Sequence, residues 1–480
     1  MPVFPTPAHP ILPSHARVPM HALPRDAVAA RILAGDVLVV CDGLLLRIPS
    51  AWLAAHPGGA LAILHFVGRD ATDEIHAFHS PATLARVARY AIARVPAPWP
   101  PLVPPVMSGW VRTRDQWASE ATPVRDASQI LLVEKRGGEQ TLSRADLEPP
   151  VPPSPTSALS LDIQAQHSRA YKALHRRIID AGLYNTPYLT GYGPELLRYL
   201  LLAALSALAY RSAWFLTSAL CLGLLWHQLV FTVHDLGHRG VTHHWATDHI
   251  LSILIADFVG GLSVGWWIQN HNIHHLVTNH PSHDPDIEHL PFLAISPAFL
   301  SSLWSSFYKR TMRFDRFAKT FVALQHNLFY LILLFGRFNL YVNSSVARSP
   351  RFPSHPAQIV LSHFSMSTAD LGPAESFPHR QLRTTTDVVC HDALGFVHGG
   401  LQLQVTHHLI PRLPRHNLKR ASVLVKEFAK EQGLAYAEFG FVDGNAEVIG
   451  VLRGVAQQVQ LMGKVAKAEV EQRLAEKKVA

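Results

Sequence analysis

The stretch Trp266–Asp284 reads WWIQNHNIHHLVTNHPSHD, with histidine at 271, 274, 275, 280 and 283 after an apolar run. An imidazole hydrogen-bonds, binds metal or carries a proton, and it is costly in an apolar setting unless something satisfies it. His271, His274 and His275 stand at i, i+3 and i+4, which is one face of a helix. Two further groups repeat the pattern. HDLGH puts His234 and His238 one turn apart, and QVTHH sets Gln404, His407 and His408 at the same i, i+3, i+4 spacing. A single pair so spaced is more often solvated or a packing residue; three groups in a chain with 16% charged residues point to metal.

Many imidazoles without nearby thiolates suit iron, zinc, copper or nickel. One zinc ion is saturated by three or four such ligands. Seven histidines exceed one ion's needs, so two metals are expected, and redox work points to iron. The three groups must then share one side of any membrane. His280 and His283, in NHPSHDPD, are flanked like a polar turn and are assigned supporting or structural roles.

Working outward, apolar spans begin near Leu196. LLRYLLLAALSALAY and AWFLTSALCLGLLWHQLVFTV flank Arg211-Ser212, each near the roughly 20 residues that cross a bilayer. They read as a transmembrane hairpin. Lys172, Arg176 and Arg177 precede it and Arg239 follows, placing both ends in the cytosol. Ile250–Trp267 must lie in the interface or re-enter if the histidines are to meet, and Trp266-Trp267 suits a belt position. Phe317–Phe335, interrupted by Gln325, His326 and Asn327, either crosses or lies in the interface. Beyond Pro411 the chain turns soluble, and VAKAEVEQRLAEKKVA reads as an amphipathic helix whose apolar stripe packs on a neighbour.

The 480 residues allow two or three folded units, and 48% are apolar. Mean hydropathy is positive, at +0.11. The net charge of +8 comes without a Lys/Arg run interleaved with aromatics, which favours a membrane face over nucleic acid. Cys41, Cys221 and Cys390 give no disulfide framework and fit a reducing cytosol. No cleavable signal peptide is visible in residues 1–20, which are expected to be disordered.

Leu23–Val95 has a compact, soluble pattern. VLVVCDGLLLRI reads as strands turned by Asp42-Gly43, with helical spacing around Ala60–Phe66. HPGG at 56–59 and GRDATDEIHAFHS put His56 and His79 in two loops around short helices. Two axial imidazoles on one haem leave no open position, so such an iron only passes electrons. The proline clusters VPAPWPPLVPP and LEPPVPPSPTS bracket Met107–Leu147 and mark a linker region.

Residues 23–95 resemble cytochrome b5, which implies haem b with His56 and His79 as axial ligands. The region from about Tyr184 to Leu418 resembles the front-end desaturases, membrane di-iron enzymes in which Gln404 would replace the first histidine of the third box. GWWIQNHNIHHLVTNHPSHDPDIEH, LSHFSMSTADLGPAESFPHRQLRTTTDV and HHLIPRLPRHNL are most similar to fungal sphingolipid delta-8 desaturases. The resemblance implies a soluble α+β cytochrome b5-like domain followed by an all-α integral membrane di-iron desaturase domain. Its ligand set would be His234, His238, His271, His274, His275, His363, Gln404, His407 and His408 around two Fe ions; His363, in LSHF, enters only through the resemblance. The implied domains are a b5-like domain at 21–98, a Pro-rich linker at 99–165, a desaturase-like domain at 166–418 and a cytosolic tail at 419–480.

The activity so implied is O2-dependent desaturation of the long-chain base of a sphingolipid or ceramide at carbon 8. Electrons would come from an NAD(P)H-dependent cytochrome b5 reductase through the fused haem. Alternatives are a front-end fatty-acyl desaturase or hydroxylase on the same iron, and an inactive truncated relative that only passes electrons. The last is motivated by SSVARSPRFPSHPA near 341–357, where relatives carry further apolar spans. Lys477 and Lys478 sit where dilysine retrieval signals lie, so the expected location is the endoplasmic reticulum membrane, multi-pass, with haem domain, active site and C-terminus cytosolic.

Overall fold

The computed structural model describes residues 21–113, 115–119, 141–149, 159–336, 341, 362–373, 375–391 and 394–479. The expectations for residues 1–20 and, apart from Tyr341, for the stretch near 341–357 lie outside these. The chain divides into two compact units, one of residues 1–169 with 371–377, the other of 170–370 with 378–480.

In the first unit, α1 (Arg25–Leu33) precedes a three-stranded antiparallel sheet of β1 (Leu38–Cys41), β2 (Leu44–Arg47) and β3 (Ala91–Arg94), in that order. The Asp42-Gly43 turn pairs Cys41 with Leu44, and both turn residues have positive φ, which glycine adopts without cost. Four short helices lie between β2 and β3: α2 (Ser50–Ala55), α3 (Leu61–Leu64), α4 (Thr72–Phe78) and α5 (Pro81–Val87). Their apolar faces and the sheet form one core around Ile32, Leu38, Leu45 and Val67.

The expected linker differs from its proline-based reading. Trp99, Leu102, Val106 and Leu147 are buried in that same core. The Trp99 indole donates to the Gly68 carbonyl at 2.9 Å, and the Leu102 amide donates to the same oxygen at 3.0 Å. Gly68 has φ +80°, and a Cβ there would stand 2.7 Å from Leu102 Cβ, so only glycine lets this segment close on the sheet. Proline removed donors the segment does not need, while its large apolar residues supplied burial. The segment also holds a hairpin of β4 (Trp110–Thr113) and β5 (Gln116–Ser119).

The second unit is mainly helical. It takes in most of α6 (Leu161–Asp180), then α7 (Gly193–Arg211) and α8 (Phe215–Gly237), which pack as an antiparallel hairpin. Ser206 and Ser218 hydrogen-bond across it reciprocally, each hydroxyl donating to the other's carbonyl at 2.9 Å. Leu200, Leu208, Leu216 and Leu220 remain exposed on its outside, as lipid contact requires. Then α9 (Trp245–Ile253) continues as a π-helical turn, Leu254–Val259, and breaks at Gly260-Gly261. The chain bends by 113° into α10 (Val264–Leu276), whose N-terminus is capped by Ser263. A pair so bent is the geometry of a broken span or of a re-entrant segment.

Next comes α11 (Arg316–Leu334), with α8 one of two described helices long and apolar enough to cross a membrane alone. The unit closes with α12 (Phe377–Thr384), β6 (Thr386–Val389), α13 (Gln404–Leu409), α14 (Leu418–Glu431), β7 (Ala437–Gly440) and α15 (Phe441–Val479). β6 and β7 pair in parallel, a small sheet within the helical unit. The C-terminal expectation needs correction: the packing stripe is Val448, Leu452, Val455 and Val459, on α11, whereas Gln460–Leu474 is exposed.

Candidate active site

The two histidines expected to bind haem lie at helix ends. His56 follows α2 and His79 follows α4. His56 Nδ1 donates to the Gly59 carbonyl at 3.0 Å, and His79 Nδ1 donates to the Ile75 carbonyl at 2.9 Å. Each bond fixes the tautomer whose Nε2 carries the lone pair. The ring centroids are 6.2 Å apart. Metal–nitrogen bonds of about 2 Å on opposite sides of one ion, plus the ring radii, require roughly this separation.

The three histidine groups converge. α8 ends in His234 and His238, α10 presents His271, His274 and His275, and α13 presents His407 and His408; all seven are buried. Ligand nitrogens of His234, His238, His271, His275 and His407 lie within 4.8 Å of one another, as do those of His274, His363 and His408. The two groups adjoin, the His275 and His408 rings stacking at 4.0 Å. His280 and His283 stay outside both. Their rings meet at a tilt with centroids 4.2 Å apart, and His283 Nδ1 bonds to Ser306 Oγ at 2.9 Å.

The donor set fits metal. In the smaller group, His274 Nδ1 donates to Asp284, His363 Nδ1 to the Thr384 carbonyl and His408 Nδ1 to Gln381 Oε1, at 3.0 Å in each case. The Nε2 atoms of all three are buried without a hydrogen-bond partner. In the larger group, Nε2 atoms meet in a chain: His234 to His271 at 3.2 Å, His271 to His275 at 3.2 Å, His275 to His407 at 3.1 Å. Burial holds His363, His407 and His408 well below the ordinary imidazole range, hence neutral. Facing lone pairs at that spacing suit ligands sharing a cation with bonds of about 2.1 Å. Gln404 opens α13, and its Oε1 is also buried without a partner.

Supporting residues, apart from the histidines, escaped the spacing analysis. Asp284 also accepts from the Asn279 amide at 2.7 Å, and Asn270 donates to Asp286 at 2.5 Å. Gln381 donates to the His275 carbonyl at 2.8 Å, tying the second box to the third. Asp387 accepts from the Val405 amide at 2.9 Å and from the Tyr436 hydroxyl, anchoring the start of α13. Arg415 pairs with Asp235 at 2.8 Å and with Glu195, joining α7 and α8 to the chain after the third box. Asp284 and Asp286 lie beside the histidines in DPDIEH, where carboxylates that orient imidazoles are expected. Nothing in the spacing marks Gln381.

Beside the larger group is a cavity of about 290 Å³ lined by Trp226, Val230, Ile255, Val259 and Leu262, with His234 and Gln404 in its wall. Its lining is mainly apolar, which suits an apolar ligand.

The fatty acid desaturase family description matches residues 211–440, and the cytochrome b5-like heme/steroid binding domain matches residues 25–96. The Delta 8-(E)-sphingolipid desaturase of Emericella nidulans is 40% identical, over 94% of this chain and 97% of the relative. The chain belongs to the cytochrome b5-fused membrane desaturases. Proteins of the same description from Komagataella phaffii and Candida albicans are 39% and 34% identical, covering 91% and 92% of this chain and 94% and 97% of their own. No solved structure matches. The aligned stretch with the Emericella protein runs to 531 residues against the 480 here, so that relative holds intervening residues without a counterpart in this desaturase. It is a membrane oxidoreductase with a haem-binding domain, and its histidine clusters fit a di-iron site.

Proposed function

We propose that this desaturase introduces an E double bond at carbon 8 of the long-chain base of a sphingolipid or ceramide. The carrying observation is similarity of 34–40%, over nearly the full length, to fungal proteins described by that activity. The apolar cavity ending at His234 and Gln404 supports it, because a methylene deep in a chain must reach the metal end while water is excluded.

In this reading His56 and His79 would hold haem b. His234, His238, His271, His275, His407 and Gln404 would hold one Fe ion, and His274, His363 and His408 would contribute to the other. An unactivated methylene offers no acidic proton, so bound iron supplies the oxidising power that C–H cleavage needs. Asp284, Gln381 and the Thr384 carbonyl hold each imidazole's Nδ1–H, so that Nε2 is presented as the donor. The cavity wall lays the alkyl chain against the metal end. Overall, the two hydrogens removed from the chain, with two electrons and two protons, would balance the reduction of one O2 to two waters. Those electrons come from an NAD(P)H-dependent cytochrome b5 reductase, and fusion raises the local concentration of the haem donor. The setting is the endoplasmic reticulum membrane, with haem domain, histidine clusters and C-terminus cytosolic.

Expression in cells lacking 8-unsaturated bases tests this. Appearance of 8-E-unsaturated long-chain bases is the expected result. Altered fatty acids with unchanged bases would transfer the reading to an acyl desaturase, and no lipid change beside an intact haem spectrum would refute activity.

A further inference from the structure

Helix α11 is long and apolar enough to cross a bilayer, yet its neighbour is not. α15 runs antiparallel along its middle. Tyr330 donates to Asn445 at 2.9 Å, Gln325 to the Leu452 carbonyl at 2.8 Å, and Gln460 to the Ala323 carbonyl at 3.1 Å. One face of α15 is buried there, but Glu447, Arg453, Gln457 and Gln458 are exposed on its other faces. Were α11 to cross, these side chains would stand at hydrocarbon depth, where charge is costly and is found facing a protein interior or a water-filled cavity.

The order of the chain gives a second, independent argument. Through α10, the histidines stay on the side where α8 ends, since His271 and His275 cluster with His234 and His238. One crossing by α11 would then carry His363, His407 and His408 to the opposite side. Residues 337–361 contain Arg337, Arg348, Arg351 and three prolines, with no run of about 20 apolar residues for a return crossing. Yet the His407 ligand nitrogen lies within 4.8 Å of those of His234 and His238.

α11 instead has the features of a surface helix. Phe317, Phe321, Leu324, Leu328, Leu331 and Phe335 follow one helical stripe, and Phe317, Leu324 and Leu331 are 53%, 45% and 54% exposed. Phe292 extends the stripe by meeting Phe321 edge to face, ring centroids 5.2 Å apart. Lys309, Arg313, Arg316 and Lys319, all exposed, cluster at the N-terminal end. Basic residues beside an apolar stripe complement anionic headgroups.

We propose that α11 lies in the plane of the membrane surface. Its stripe sits in the boundary between headgroups and acyl chains, its basic end meets anionic lipid, and α15 covers its water side. Among the described residues, α7 and α8 are then the segments that cross the bilayer. This rests on the membrane reading of that hairpin.

The test uses the full-length holoprotein in nanodiscs of mixed zwitterionic and anionic phospholipid. Cys41, Cys221 and Cys390 are replaced by serine, and single nitroxide labels are placed through Phe317→Cys, Leu324→Cys, Leu331→Cys and, in α8, Leu220→Cys. Haem and iron content of each labelled protein reports that it has folded. Oxygen and nickel-chelate power saturation then gives depth. The three α11 labels should lie at one shallow depth and the Leu220 label deeper. A crossing helix would separate Phe317 and Leu331 by about 21 Å along the normal, at 1.5 Å per residue, with Leu324 deep, and that result would overturn the proposal. Three water-exposed or protein-covered α11 labels above a deep Leu220 label would overturn it as well. A water-exposed Leu220 label would instead reject the membrane reading of the hairpin, and the proposal with it.

Discussion

Gln381 holds two histidine boxes together: its Oε1 accepts from His408 Nδ1 at 3.0 Å, and its Nε2 donates to the His275 carbonyl at 2.8 Å. Thr278 adds a bond to the same oxygen at 3.2 Å. Removing such a support typically costs 10–100-fold in metal affinity. Gln381→Ala should therefore lower non-haem iron after dialysis against a mild chelator while the haem spectrum stays unchanged. Full iron retention would show that His408 orients without Gln381.

His56→Ala and His79→Ala should each abolish the low-spin bis-imidazole spectrum, because either change removes one of two rings held 6.2 Å apart. Iron in the histidine clusters should be retained, since all its candidate ligands lie in the second unit. An unchanged spectrum in either variant would reject that residue as an axial ligand.

Val230 lines the cavity that ends at His234 and Gln404. Val230→Phe adds bulk where the alkyl chain is expected, so turnover should fall about tenfold or more with both iron and haem retained, a loss of roughly 1.4 kcal/mol in transition-state binding. Unaltered turnover and product position would place the substrate elsewhere.

Asp387 is buried between Val405 and Tyr436, and burial raises its carboxyl from the ordinary 3.8 to about 6. The folded state thus binds this proton more tightly than the unfolded state. The stabilisation it gives is complete below the ordinary value and is lost as pH rises through about 6. Asp387→Asn, which keeps an acceptor for the Val405 amide, should flatten that dependence. In thermal melts of the holoprotein from pH 5 to 7, the wild type should lose stability relative to the variant as pH rises. Parallel curves would remove Asp387 as the source.

What the sequence made legible was set by short-range spacing. His234 with His238, and His271 with His274 and His275, declare a helix face and a chemistry within one turn. So did Asp42-Gly43 for the first hairpin. His363 has no partner within a turn, and only resemblance suggested it; the structure brings it to His274 and His408 through tertiary packing. Gln381 was invisible for the same reason, its bonds spanning 27 and 106 residues. The linker reading failed at Trp99, Leu102 and Leu147 because proline content speaks for local backbone and not for burial.

The most direct measurement is the non-haem iron content of the purified, reconstituted protein, counted against its haem by elemental analysis with Mössbauer spectroscopy. Two non-haem irons in nitrogen-rich coordination for each haem are expected from two adjoining imidazole groups. Haem with no further bound iron would contradict the reading of those eight histidines as a metal centre.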